Sequence, residues 1–195
     1  MNDLFIEGLR KRSETLAKLS EDKEFVKSFW LAKNVLAEAI FNDGKVLIFG
    51  NGGSAGESQH FAAELVCQFE KKRRALPAIA LTTDSSILTA QSNDFGFDSV
   101  FSRQIEALCR PGDVVVGLTT SDVYDNGHSR NIFEAFEMAK KLGAKRIGLF
   151  STKTKKLINS VDVALLVPVE NTALIQEVHL TVIHILCGEI EKELN

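Results

Sequence analysis

The chain has 195 residues, of which 45% are apolar, and a formal net charge of −3 at pH 7. This length suits one domain with a single well-packed core. The charge gives no general attraction to nucleic acids or anionic membranes, and no stretch approaches the roughly 20 consecutive apolar residues that span a bilayer. Cys67, Cys109 and Cys187 are widely spaced, which is typical of reduced thiols. Because the N-terminus also lacks a secretory leader pattern, the sequence predicts a soluble cytoplasmic protein.

Two helices are predicted at the N-terminus. Residues 3–41 contain no proline and carry apolar residues at helical spacing, among them Val26, Phe29 and Ala37. A break between residues 20 and 22 divides this stretch. Trp30 lies in the second helix, where we interpret it as packing in the core or in an interface.

From residue 45 onward, short apolar runs alternate with helical stretches. The runs cover residues 46–49, 78–81, 114–118, 147–150 and 163–167, and helices are predicted at about residues 54–70, 85–92, 98–109, 129–142 and 172–193. Runs that are apolar throughout are typical of central strands covered on both faces. The alternation predicts an α/β fold, a three-layer αβα sandwich around a five-stranded parallel sheet. Ligands of such sheets bind at the carboxyl ends of the strands.

The first predicted strand runs directly into a glycine-rich loop, Gly50, Asn51, Gly52, Gly53 and Ser54. Glycines permit close approach of the backbone, and the N–H groups at the start of the following helix attract an anion. The spacing matches neither the dinucleotide motif nor the nucleoside triphosphate motif. The loop is therefore either a cradle for another kind of phosphate or only a tight turn that caps the helix.

His60 and Glu64 follow this loop and lie one helical turn apart, on one face of the same helix. Such a pair is either a structural or solvent-exposed pair, or an acid/base pair that reaches one small volume. Its position behind a glycine loop at a strand end favours acid/base chemistry on a phosphorylated small molecule.

The third predicted strand leads into three consecutive hydroxyl residues, Thr119, Thr120 and Ser121, and Ser129 is placed to cap the next helix. Hydroxyl groups together with helix N–H groups would make a second anion cradle. The alternative is an ordinary turn rich in serine and threonine.

The last predicted helix carries Gln176 and His184, which lie about 80° apart around the helix axis and about 12 Å apart along it. A straight helix cannot place both side chains on one compact metal ion. Either the helix lies along the substrate, or different chains supply the two residues. His179 lies on a different face, where we expect structural packing.

Taken in order, these residues resemble the phosphoheptose isomerases of the sugar isomerase (SIS) fold, which is flavodoxin-like. The resemblance covers nearly the whole chain. Its segments are residues 50–54, 59–65, 77–81, 93–97, 101–104, 112–114, 175–179 and 183–186. It implies one SIS domain over residues 1–195, in which residues 1–42 form a helical extension that packs in the oligomer.

The resemblance also implies a function. The family interconverts sedoheptulose 7-phosphate and glycero-manno-heptose 7-phosphate, an early step toward bacterial surface polysaccharide, and its members are homotetramers with active sites between subunits. Carried over by motif, Glu64 and His184 are the acid/base pair, and one zinc ion per subunit has the ligands His60, Glu64, Gln176 and His184. The implied substrate contacts are Asn51, Gly52, Gly53, Ser54, His60, Glu64, Asn93, Asp94, Thr119, Thr120, Ser121, Ser129 and Gln176.

The hydroxyl loop, residues 119–131, departs from the family pattern. It is longer by about five residues, and Asp122 stands where relatives have glycine. A carboxylate near a phosphate opposes binding of that phosphate. Elsewhere in the chain, Gln68 and Leu174 stand where relatives commonly have arginine. His128 and Arg130 either supply compensating positive charge or belong to a solvent-exposed excursion. A second hypothesis is therefore a non-catalytic SIS protein that binds a sugar phosphate or associates with the replication initiator.

Overall fold

The computed structural model describes residues 3–124 and 127–194. Its helices are α1 (Leu4–Glu21), α2 (Lys23–Phe41), α3 (Gly53–Val66), α4 (Ser85–Phe95), α5 (Ser102–Leu108), α6 (Arg130–Lys141) and α7 (Thr172–Glu193). Its strands are β1 (Val46–Gly50), β2 (Ala78–Ala80), β3 (Val114–Leu118), β4 (Lys145–Ser151) and β5 (Val163–Val167). Short 3₁₀ helices cover Phe97–Ser99 and Leu157–Ser160.

The five strands form one parallel sheet in the order β2-β1-β3-β4-β5. Every residue of β1 and β3 is buried, as expected for central strands with helices on both faces. Alternate residues of β1 serve two cores. Ile48 packs with α2, α3 and α7 on one face, whereas Phe49 packs with α5 and α6 on the other. The predicted three-layer αβα sandwich is confirmed.

The two N-terminal helices meet at Asp22, within the predicted break. The Asp22 side chain accepts hydrogen bonds from the N–H groups of Glu24 and Phe25, which caps α2, and Asp3 caps α1 in the same way. The α1 helix contacts α2 and has only Thr15 and Leu19 fully buried. These helices therefore form a layer outside the sandwich.

Several predicted boundaries are wrong. The helix expected at 98–109 is a 3₁₀ turn followed by the shorter α5, and the helix expected at 54–70 ends at Val66. Beyond Val66 the chain turns away to bind α7, a contact that helical periodicity does not encode. Asp125 and Asn126 of the hydroxyl loop lie outside the described residues.

Within the described residues, one helix has the length and composition of a membrane span. This is α7, with a mean hydropathy of 1.3 over its most apolar window. Half of that window is buried inside the protein, against the sheet and α3, which is the pattern of a core helix.

Candidate active site

A cavity of about 630 Å³ opens at the carboxyl edge of the sheet, between β1 and β3. The strand order reverses direction at this point, where doubly wound sheets bind their ligands. The cavity brings together nine of the predicted site residues: Asn51, Gly52, Gly53, Ser54, Thr119, Thr120, Ser121, Ser129 and Gln176. Three different chain segments therefore converge on one volume.

The glycine loop has a conformation that depends on its glycines. Gly52 has a φ of +55°, which favours a residue without a Cβ. A Cβ on Gly53 would lie 2.8 Å from Oε1 of Gln176, so glycine allows α7 to bring this amide into the cavity. Asn51 and Asn131 exchange two side-chain hydrogen bonds, of 2.9 and 2.8 Å, which tie the loop to α6 across the crevice.

The hydroxyl loop begins with a turn closed by its own side chains. Thr119 Oγ1 accepts a hydrogen bond from the Ser121 N–H at 3.2 Å and donates one to the Ser121 carbonyl at 3.0 Å. The prediction that the Ser129 side chain caps α6 is wrong. Ser129 has a left-handed φ of +56° and makes no capping bond, because this backbone directs its hydroxyl to within 3.5 Å of Ser121 Oγ. Both hydroxyls line the cavity.

His60, Glu64 and His184 form a compact group on α3 and α7. Nε2 of His60 lies 2.7 Å from Nε2 of His184 and 3.2 Å from Oε1 of Glu64. The three ligand atoms all lie within 4.8 Å of one another, so this group could hold a metal ion. The side chains of His60 and Glu64 are 41% and 20% exposed, which leaves the group open to a ligand. Mixed nitrogen and oxygen donors of this kind suit zinc.

The fourth expected ligand, Gln176, lies elsewhere on α7. Because α7 is one continuous helix, Gln176 lies about two turns before His184. Its side-chain amide packs against Gly53 in the cavity. The helices α3 and α7 thus run side by side in the same direction, with Gly53 beside Gln176 and His60 beside His184. This agrees with the helical geometry, and a role for Gln176 as a fourth ligand stays a prediction.

A buried ion pair holds the far ends of these two helices together. Glu191 of α7 accepts hydrogen bonds from three consecutive N–H groups, those of residues 69–71, and from Arg73 Nε at 2.9 Å. Arg73 also donates to the carbonyl groups of Glu64 and Leu65, which have no partner within α3 where the helix ends. The Leu65 carbonyl also accepts a hydrogen bond from the Leu76 N–H at 3.1 Å. Burial raises the pKa of Glu191, but the N–H groups and the Arg73 charge outweigh it and hold the pKa below its usual range. The pair fixes the spacing of α3 and α7.

The turn that follows α3 also places an aromatic ring against His184. Phe69 stacks on the imidazole of His184, with ring centroids 5.4 Å apart and planes 21° apart. Its N–H group is one of those bound by Glu191. The His184 ring is therefore in contact with both Phe69 and His60.

Some predicted contacts lie outside the cavity, and some of its residues were not predicted. Asn93 and Asp94 are exposed in the last turn of α4, where Asn93 Nδ2 donates to Asp94 Oδ1, and their substrate contacts stay predictions. The lining residues outside the predicted set are Phe97, Asp98, Leu118, Tyr124, Gly127, His128, Asn131, Lys153 and Thr172. The position of Lys153 just after β4, at the same edge of the sheet, is a sequence feature that could have predicted its place in the cavity.

The structure corrects the interpretation of the hydroxyl loop. Asp122 is buried and does not line the cavity, because its carboxylate is directed to backbone N–H groups of the loop after β4. Arg130 lies 3.6 Å from both Asp98 and Glu134 and is also absent from the lining. Of the two candidate cations, only His128 lines the cavity, with Nε2 2.8 Å from Ser121 Oγ.

Comparison with known proteins agrees with this geometry. The family model described as "SIS domain" matches residues 10–151. A phosphoheptose isomerase of Geotalea daltonii is 53% identical over 160 residues, which cover 82% of this chain and 81% of the relative. That of Geobacter metallireducens is 45% identical over 194 residues, covering 100% and 99%. The phosphoheptose isomerase structure from Neisseria gonorrhoeae superposes with a TM-score of 0.82 at 41% identity, covering 96% of this chain and 95% of that one.

The fold and the cavity at its strand ends are those of a sugar isomerase domain. The chain belongs to the SIS domain family and, within it, to the phosphoheptose isomerases.

Two titratable groups are buried beside the cavity. Burial raises the pKa of Glu57 to about 7, and the nearby Ser54 hydroxyl lowers it only in part. Burial lowers the pKa of His179 to about 4, against the opposing effect of the 3.1 Å hydrogen bond between its Nε2 and the Phe150 carbonyl. Oε1 of Glu57 lies 4.0 Å from Nδ1 of His179. Both groups are therefore neutral in the folded protein between about pH 4 and pH 7.

Glu57→Gln is expected to remove one source of pH-dependent stability. Because the folded pKa of Glu57 is raised, its contribution is fully present below pH 4.5 and is lost as pH rises through about 7. The amide does not ionise, so the variant should gain up to about 3 kcal/mol in unfolding free energy over wild type at pH 8. Urea unfolding at one protein concentration, at pH 5 and pH 8, measures the difference. An equal difference at both pH values, or the same gain in the exposed Glu14→Gln control, would contradict the assignment.

Proposed function

We propose that this protein interconverts sedoheptulose 7-phosphate and D-glycero-D-manno-heptose 7-phosphate, as an early step toward ADP- or GDP-heptose and lipopolysaccharide or other surface polysaccharide. The observation that carries the proposal is the His60, Glu64 and His184 group, in a chain of the phosphoheptose isomerase family. His60 lies seven residues after Gly53, so this group is about 10 Å further along α3 than the cavity. An open-chain sugar phosphate is the kind of elongated ligand that suits two such separated regions.

The reaction needs a proton removed from C1 of the ketose and returned at C2 through an enediol, while a second proton moves from one oxygen to the other. We assign removal of the carbon-bound proton to His184 and the oxygen proton transfers to Glu64. Each such transfer contributes about 100- to 10,000-fold. The stacked Phe69 ring and the Arg73–Glu191 pair fix the positions of His184 and Glu64 relative to each other. Gln176, the glycine loop and the hydroxyl loop are the proposed contacts for the rest of the sugar phosphate.

Zinc is the proposed metal of this group, with one ion per subunit. His60, Glu64 and His184 would hold it. Because α7 separates Gln176 from His184 within one chain, the proposed fourth ligand is Gln176 supplied by another chain of the oligomer. When bound, zinc would polarise the substrate carbonyl as a Lewis acid.

The second candidate function is a non-catalytic protein that binds a sugar phosphate or a replication initiator. The altered hydroxyl loop motivates this alternative. The close grouping of Glu64 with two histidines favours catalysis, because binding alone does not require an acid and a base at one point. We therefore keep the isomerase as the leading proposal.

Pure protein incubated with sedoheptulose 7-phosphate and zinc is expected to form the aldose. Glu64→Gln and His184→Gln should each lower kcat by at least about 100-fold, because each removes a proton-transfer group. Aldose formation is followed directly, and retained secondary structure shows that the variants fold. Absence of turnover in wild type would favour the non-catalytic function, and unchanged turnover in both variants would contradict the roles assigned to Glu64 and His184.

Wild-type protein stripped of metal is expected to bind one zinc ion per chain. His60→Ala should weaken binding by at least about tenfold, since it removes one of the clustered donors. Titration against a coloured chelator measures the dissociation constant. His128→Ala is the matched control, and equal weakening in both variants would show that the His60 group is not the zinc site.

We also propose a homotetramer in which residues 1–42 pack between subunits and the active sites lie at the interfaces. Large apolar side chains on the two N-terminal helices are exposed, including Phe5 at 70%, Leu9 at 49% and Trp30 at 46%. An apolar groove of about 280 Å³ lies between α1, α2 and α7 and includes Ile185, the neighbour of His184. Apolar surface of this kind marks interaction sites.

Wild-type protein should therefore have four times the chain mass of 21.5 kDa in solution. Leu9→Glu is expected to shift the population to smaller species, because it places a charge in the apolar contact. Light scattering after size-exclusion chromatography measures the mass. Arg10→Glu changes the charge on the same helix and should leave the mass unchanged. A monomeric wild type would contradict the proposal.

The proposed location is the cytoplasm. Cys67, Cys109 and Cys187 are all free thiols in the structure, and Cys67 is exposed. Burial raises the pKa of Cys187 to about 12, so this thiol stays protonated. Free thiols are the usual state of cysteine in a reducing compartment.

A further inference from the structure

The loops after β3 and β4 are joined by one buried carboxylate, that of Asp122. Its Oδ1 accepts hydrogen bonds from the N–H groups of Val123 at 2.9 Å and Leu157 at 3.1 Å. Its Oδ2 accepts hydrogen bonds from the backbone N–H groups of Lys155 at 2.8 Å and Lys156 at 2.7 Å. Burial raises the pKa of Asp122, but these four bonds outweigh it and hold the pKa below its usual range. The carboxylate is 4% exposed and remains ionised, so it acts as a fixed clasp between the two loops.

A second link lies beside this clasp. Ser151 Oγ donates to the Thr120 carbonyl at 3.3 Å and accepts a hydrogen bond from the Lys153 N–H at the same distance. The backbone of residues 151–157 is therefore held to residues 120–123 at two points. Because both loops are fixed, Ser121 from one and Lys153 from the other line the same cavity.

Lys153 gives this cavity its fixed positive charge. Among the described residues that line it, Lys153 is the one lysine or arginine. Arg130, the other strong cation near the hydroxyl loop, lies beside Asp98 and Glu134 instead. A phosphate monoester that binds against the hydroxyl groups of Thr120 and Ser121 would form an ion pair with Lys153.

We propose that Lys153 binds the phosphate of the substrate and that Asp122 is the positioning residue that presents it. This inference rests on the proposed sugar phosphate function and names the residues that adapt the altered hydroxyl loop to an anion. The aspartate that opposes phosphate binding on sequence grounds would thus support it. Its ionised carboxylate is stabilised by four backbone N–H donors and does not line the cavity, and it fixes the loop that carries the lysine.

The neighbouring lysine provides a matched control. Lys155 belongs to the same loop and is exposed, but it does not line the cavity. A general attraction of the basic loop for anions would depend on both lysines. Direct binding would depend on Lys153 alone.

The test compares Lys153→Met, Lys153→Arg, Lys155→Met and Asp122→Asn in the zinc-loaded protein. Steady-state kinetics give kcat and KM for sedoheptulose 7-phosphate, and calorimetry gives the dissociation constant of inorganic phosphate. Lys153→Met should raise KM and the phosphate dissociation constant by roughly 10- to 100-fold with kcat little changed, because one charge-assisted contact is lost. Lys153→Arg should restore much of the binding, and Lys155→Met should behave as wild type.

Asp122→Asn tests the clasp. The amide replaces one acceptor oxygen by a donor, so phosphate binding should weaken while zinc affinity, measured at the distant His60 group, stays as in wild type. Equal loss of both affinities would show general unfolding and overturn the positioning role. Lys153→Met does not disturb the clasp, so it tests the phosphate contact even if Asp122→Asn does not fold.

Wild-type phosphate affinity in Lys153→Met, equal losses in Lys153→Met and Lys155→Met, or no phosphate binding by wild type would each overturn the inference. The proposed function fails separately. A wild-type protein that binds phosphate through Lys153 but does not isomerise sedoheptulose 7-phosphate would retain the inference and lose the isomerase.

Discussion

The order of strands in the parallel sheet is the constraint on which the rest of the structure depends. β1 lies between β2 and β3, so the chain leaves β1 toward α3 on one face and leaves β3 toward α6 on the other. Loops that separate in this way leave a crevice between their strand ends. The paired amides of Asn51 and Asn131 bridge it, and the glycine loop and hydroxyl loop form its walls. The cavity thus follows from how the chain crosses its own sheet.

The site also depends on two parallel helices, α3 and α7. Their first turns face the cavity through Gly53 and Gln176, and their middle turns bring His60 and Glu64 against His184. Beyond this point the Arg73–Glu191 pair closes the end of α3. One pair of rigid helices therefore holds the anion-binding region and the proton-transfer region at a fixed separation, which orients an elongated substrate better than two independent loops would.

Three buried carboxyl groups show how local donors decide charge. Asp122 accepts four backbone hydrogen bonds, and Glu191 accepts three together with a guanidinium contact, so both have lowered pKa values despite burial. Glu57 has no such ring of backbone donors, and burial raises its pKa to about 7. The first two are ionised clasps that join segments distant in sequence. Glu57 keeps its proton up to about pH 7, because desolvation of the charged form is not compensated.

The layered architecture could be predicted from the sequence, because five short apolar runs alternating with helical stretches are typical of a parallel sheet with helices on both faces. The sequence by itself also determined the glycine loop and the His60 and Glu64 pair, because a strand end and one helical turn are local geometry. Helical spacing even separated Gln176 from His184. Only the tertiary structure decided the direction of Asp122, the entry of Lys153 into the cavity and the stacking of Phe69 on His184. These contacts join residues more than 30 positions apart, except that Asp122 also binds its neighbour Val123. Which donors meet a given carboxylate depends on the paths of two loops in space, and no periodicity in the chain records those paths.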